Sequence, residues 1–179
     1  MQETLTLMAD ETTGVGKSIA AATDDIDRVS FQSGKADPVY ARNVCRKLAK
    51  PMEEYAEKIK GYVGTVSTCW NNIENDYLGL LENQHMRTKD NITDLQQSEE
   101  SLIELQATVH ESDESVERFI SILKKSTGME RRLTRAITLT INELEAYLTL
   151  TSTMSSSIDR IRSKSAITIT AIVEDTKED

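Results

Sequence analysis

The sequence predicts an all-α protein, an elongated antiparallel four-helix bundle with coiled-coil-like heptad seams. Cys45, Met52, Ile59, Val66, Ile73 and Leu80 recur at seven-residue spacing, and Ala41, Leu48, Tyr55, Tyr62 and Cys69 form a second line offset from them by three or four. Interleaved 3-4 lines mark a helix that buries one face against other helices. Aromatic residues make up only 4% of the 179 residues and there are two prolines. That composition suits slender helices better than the aromatic-rich core of a compact enzyme. The same periodicity returns along the rest of the chain. It therefore reads as one domain with helices at about 2–32, 38–84, 91–125 and 129–172 and a charged tail at 174–179.

The first segment carries the stripe Leu5, Met8, Thr12, Val15, Ile19, Ala22, Ile26 and Val29. Its end is marked by Gly34 as a helix stop, and Asp37-Pro38 reads as an N-cap followed by proline at the first helical position, where a missing N–H costs nothing. Pro51 falls inside the second segment, but the heptad lines pass through it in phase, so a kink is expected rather than a break. Val44, Val63, Trp70, Tyr77 and Leu81 flank this seam and widen it. Gly61, Gly64 and Gly79 weaken the helix, and close helix contacts would account for them.

Near Gln84–Asn91 the phase slips, and a turn is expected because one helix from Pro38 to Lys125 would be far longer than usual. In the third segment Leu95, Leu102, Val109, Val116 and Leu123 keep a strict line, while the companion line reads Ile92, Glu99, Gln106, Asp113, Ile120. This polar companion predicts the least buried helix, with Ile103, Leu105, Phe119 and Ile122 partly exposed. Lys124, Lys125 and Gly128 close it. The fourth segment has two lines, Ile137, Leu144, Thr151, Ile158, Ser165, Ile172 and Leu133, Thr140, Tyr147, Met154, Ile161, Thr168. Ile167–Val173 alternates enough to suggest a strand, but the helical lines run through it.

A formal net charge of -9 argues against general nucleic-acid binding, which needs Lys and Arg to neutralise phosphates. Cys45 and Cys69 lie 24 residues apart on one helix and cannot reach each other, so free thiols in a reducing compartment are expected. Met1–Asp10 lacks a basic stretch followed by an apolar run, and no span has the length and apolarity of a transmembrane helix. The expected location is cytoplasmic.

Candidate chemistry is sparse. Gly14-Val15-Gly16-Lys17-Ser18 resembles the second half of a phosphate-binding loop. Glu11 stands where that loop needs its first glycine, however, and Thr12, Val15 and Ile19 keep the helical stripe running straight through. His85 and His110, 25 residues apart, belong to no known metal-binding pattern. No catalytic residue, metal or cofactor is expected, and no motif identifies a family.

Charge patterning is more informative. Asp90–Glu117 contains no Lys or Arg but nine carboxylates, after which Arg118, Lys124, Lys125, Arg131, Arg132 and Arg135 reverse the sign. The functional expectation is therefore a non-catalytic interaction or structural subunit, an adaptor within a larger assembly. It would meet a protein partner or a second copy through the third helix and the turn near Gly128. The candidate contact residues are Glu100, Glu104, Glu111, Phe119, Lys124, Lys125, Arg131 and Arg132. The alternative is a ligand-sensing bundle with a pocket near the ladder Tyr55, Tyr62, Trp70 and Tyr77.

Overall fold

The computed structural model describes residues 37–82, 89–125 and 130–175, together with Asp10, Thr13, Gly14, Lys17, Ala20, Ala21, Asp24, Asp25 and Arg28. Among these residues the protein is all-α, with three helices rather than the expected four: α1 (Pro38–Glu82), α2 (Lys89–Lys125) and α3 (Arg131–Asp175). The scattered residues of 10–28 are helical, but the apolar stripe from Leu5 to Val29 lies outside the described residues. So do Gly34, Gly128, His85 and the tail beyond Asp175. The predicted boundaries shift a little: α2 begins at Lys89, α3 begins at Arg131, and α3 runs to Asp175, so Ile167–Val173 is helix and not strand.

Local chemistry explains the ends. The Asp37 carboxylate accepts from the backbone N–H of Val39 at 2.9 Å and of Tyr40 at 3.1 Å, with Pro38 at the first helical position. At the start of α3, Glu130 caps the Arg132 and Leu133 N–H groups at 3.1 and 3.4 Å. α1 continues unbroken through Pro51.

The core follows the heptads only in part. In α3 both lines are buried almost end to end, from Leu133 to Ile172. In α1 the line drifts. Cys45, Met52, Ile59 and Val66 are buried, Ile73 is half-buried, and Leu80 is 42% exposed. A straight α-helix slips about 20° per heptad against a seven-residue repeat, so five repeats carry Leu80 roughly a quarter turn off the core. Trp70 is buried, and Tyr77 and Leu81 are half-buried, where Ile73 and Leu80 turn outward. In α2, Leu105 and Phe119 are 5% and 2% exposed, which corrects the expectation that they stay partly exposed; Ile122 is half-buried and Ile103 is 44% exposed.

Cross-helix contacts set the directions. Tyr55 packs edge-on against Phe119 at 5.8 Å and Tyr77 Oη donates to the Ser98 carbonyl at 2.8 Å, so α1 and α2 are antiparallel. Gln106 donates to Asp159 at 3.2 Å and Lys124 to Glu145 at 3.3 Å, so α2 and α3 are antiparallel as well. α1 and α3 therefore run parallel. Arg132 reaches Glu53 and Arg160 reaches Glu74, at 2.9 and 2.7 Å. α3 is the shared spine: α1 and α2 both pack closely along it and approach each other less.

A side chain added at Gly61, Gly64 or Gly79 would meet open space, so close helix contacts do not account for these glycines. Gly61→Ala and Gly64→Ala are each expected to stabilise the protein by about 0.5–1 kcal/mol, by removing chain entropy from the unfolded state. Urea denaturation of each variant measures this; an unchanged or lowered midpoint would contradict it.

Candidate functional site

The eight candidate contact residues do not converge on one site. Glu100, Glu104 and Glu111 are exposed on the side of α2 that faces away from the core. Glu104 and Glu111 sit seven residues apart on a line that continues through Arg118 to Lys125, so one strip of this helix changes sign along its length. Glu114, beside that strip, pairs with Arg118 at 2.7 Å and stands 3.5 Å from His110. Lys124 is engaged by Glu145 of α3, while Lys125 and Arg131 are exposed. Arg132 is turned to α1, where Nε and Nη2 donate to the two Glu53 oxygens at 3.1 and 2.9 Å. This bidentate bond holds the Glu53 carboxyl below the usual range and raises the Arg132 guanidinium. Phe119 is removed from the contact set, since its ring lies in the core.

The fold also builds a feature that spacing did not reveal. An open groove of about 750 Å³ runs between the parallel helices α1 and α3, lined by Glu53, Ala56 and Glu57 on one side and by Arg131, Arg135, Leu139 and Glu143 on the other. A smaller one, about 190 Å³, lies farther along the same pair beside Leu78, Leu81, Lys164 and Ile167. No sequence signal joins residues 53–57 to 131–143; only the parallel packing does so.

The aromatic ladder lines neither groove. Tyr55 and Trp70 are buried, and the Tyr77 hydroxyl is spent on the Ser98 carbonyl. Tyr55 and Trp70 belong to the core, and Tyr62 and Tyr77 pack against it. Thr13, Gly14 and Lys17 of the phosphate-loop-like string are helical and exposed, whereas Glu11, Val15, Gly16 and Ser18 lie outside the described residues. Neither cysteine is joined in a disulfide; Cys45 is buried and Cys69 half-buried. Among the described residues no three His, Cys, Asp or Glu side chains are placed to hold a metal ion, and no helix is long and apolar enough to cross a membrane.

The densest internal polar chemistry lies where α2 meets α3. Ser112 and Tyr147 share a hydrogen bond between their buried hydroxyls, and burial holds the Tyr147 phenol well above its ordinary value. Asp113, the next residue, is half-buried, and its Oδ1 has no hydrogen-bond partner among the described residues. Burial pushes its carboxyl up to about 6, with Glu117 adding to the rise. Thr151 and His110 oppose it, but the Thr151 hydroxyl proton is directed to its own helix, to the Leu148 carbonyl at 3.1 Å. Farther along the same interface, Glu99 faces Arg162 at 3.5 Å. The polar companion line of α2 is thus the side that meets α3.

Compared with known proteins, the chain matches no family model, no curated protein and no solved structure.

Proposed function

We propose that this chain is a non-catalytic helical interaction or structural subunit, and that the exposed side of α2 docks a helical partner carrying Lys or Arg. The observation that carries this reading is the disposition of Glu100, Glu104 and Glu111. All three are exposed on one helix, close to the exposed apolar side chain of Ile103. The interior supports it as well, since the ladder side chains belong to the core or pack against it and line neither groove. With residues 2–32 as a further helix, the bundle has four.

The test is charge reversal. Glu100→Lys, Glu104→Lys and Glu111→Lys together are expected to weaken partner capture at least tenfold. Raising salt from about 0.05 to 0.5 M should weaken the wild-type contact, since exposed charges are screened beyond a few ångströms at the higher strength. Pull-down quantified by mass spectrometry, with light scattering to read self-association, measures both effects. Capture unchanged by the reversals, together with a monomer at high concentration, would overturn the assignment.

A further inference from the structure

The outer strip of α2 carries a charge pattern that complements its own reverse. Glu104, Glu111, Arg118 and Lys125 are all exposed and follow one another at seven-residue steps, two carboxylates and then two cations. At 3.6 residues per turn the four side chains stay within about 30° of a single direction. The midpoint of the strip lies between Glu114 and Ser115. Glu111 and Arg118 stand equally far from it on either side, and so do Glu104 and Lys125. Among the described residues Glu104, Glu111 and Lys125 hold no ion pair, so their charges are not answered within the chain.

We propose that the occupant of this surface is a second copy of the chain, joined α2 to α2 in antiparallel register about a two-fold axis between Glu114 and Ser115. This rests on the docking reading above and names the partner. The axis sets Glu111 opposite Arg118 of the second copy and Glu104 opposite its Lys125, and symmetry makes each pair twice. Exposed Ala107 and half-buried Ile122 are also equally far from the midpoint, so a small side chain meets a large one between the charged pairs. Glu114 comes beside its own copy at the axis, and Arg118, 2.7 Å from it, supplies the opposite charge there. A parallel pair in the same register would set like charges together at all four positions. The pattern therefore selects direction as well as partner.

The test is a charge exchange in the full chain, read by light scattering and sedimentation, with the helicity of each variant checked against the wild type. The wild type is expected to self-associate, less so as salt is raised. Glu104→Lys with Glu111→Lys makes the strip wholly basic, and Arg118→Glu with Lys125→Glu makes it wholly acidic. Each variant alone should self-associate at least tenfold more weakly. Mixed in equal amounts, the two should recover wild-type association, because every facing pair again joins opposite charges. Single cysteines in a Cys45→Ala, Cys69→Ser background read the register. Ser115→Cys, beside the axis, is expected to oxidise to a disulfide-joined dimer, whereas Ala107→Cys, roughly 20 Å from its own copy, should not. A monomeric wild type at high concentration, a mixture no stronger than its components, no link at position 115 or a link at 107 would overturn the pairing. If the wild type is monomeric but captures another protein, and loses it on reversal of Glu100, Glu104 and Glu111, the second copy is excluded and the docking surface stands.

Discussion

Phe119→Ala is expected to lower the unfolding free energy by about 3–5 kcal/mol, a large share of what a domain of this size has in total. The ring is 2% exposed and meets Tyr55 edge-on across the interval between α1 and α2. Removing it takes away buried apolar area and leaves a void that neither helix can close while both are held by α3. The edge-to-face contact with Tyr55 adds to the loss. Ile103→Ala, on the exposed side of the same helix, should change stability by no more than about 0.5 kcal/mol. Urea denaturation of both variants checks the pair. If Phe119→Ala cost as little as Ile103→Ala, the ring would not be a core residue.

The second large effect depends on pH. Asp113 has its folded-state value raised to about 6, above the ordinary 3.8, because burial penalises the charged carboxylate. The folded protein therefore holds this proton more tightly than the unfolded chain does between about pH 4 and 6. Stability from this group is fully present below about pH 4 and is lost as pH rises through 6. A rise of that size corresponds to about 3 kcal/mol at full strength. The carboxyl is only half-buried, and solvent screening reduces this to roughly 1–2 kcal/mol. Asp113→Asn keeps the shape and removes the titration, so it should stabilise the protein by that amount at pH 7.5 and by almost nothing at pH 4. Chemical denaturation of wild type and variant at the two values decides it; an equal difference at both would show that the carboxyl does not sense its burial.

The lines that could be read from sequence were those whose every position is apolar or small. α3 is the clear case: Ile137, Leu144, Ile158 and Ile172 announce the seam, and Thr151 and Ser165 only dilute it. α2 departs from expectation because its second inward line, half-buried Ser98 followed by buried Leu105, Ser112 and Phe119, has a hydroxyl at every other position. Ser112 is buried because Tyr147, on a helix that arrives later in the chain, supplies its hydrogen bond. Without that partner in view, Leu105 and Phe119 looked like isolated surface residues. In α1 the heptad itself misled, since a helix that does not supercoil fully cannot keep one line inward for five repeats. The exposed carboxylates of α2 needed no fold to be seen. The groove between Glu53 and Arg135 did, because pairing between parallel helices leaves no trace in local spacing.

That α3 is the shared spine has a consequence for the order in which structure can form. Contacts between α2 and α3 close loops of a few tens of residues, as Lys124 with Glu145 shows at a separation of 21. Contacts between α1 and α3 join positions 79 to 88 apart. Closing the longer loops costs more chain entropy, so the α2–α3 hairpin is the economical starting point and α1 is gathered onto it afterwards. During synthesis the situation is harsher. α1 and α2 are made before α3, so the helix that buries most of each is not yet present when they leave the ribosome.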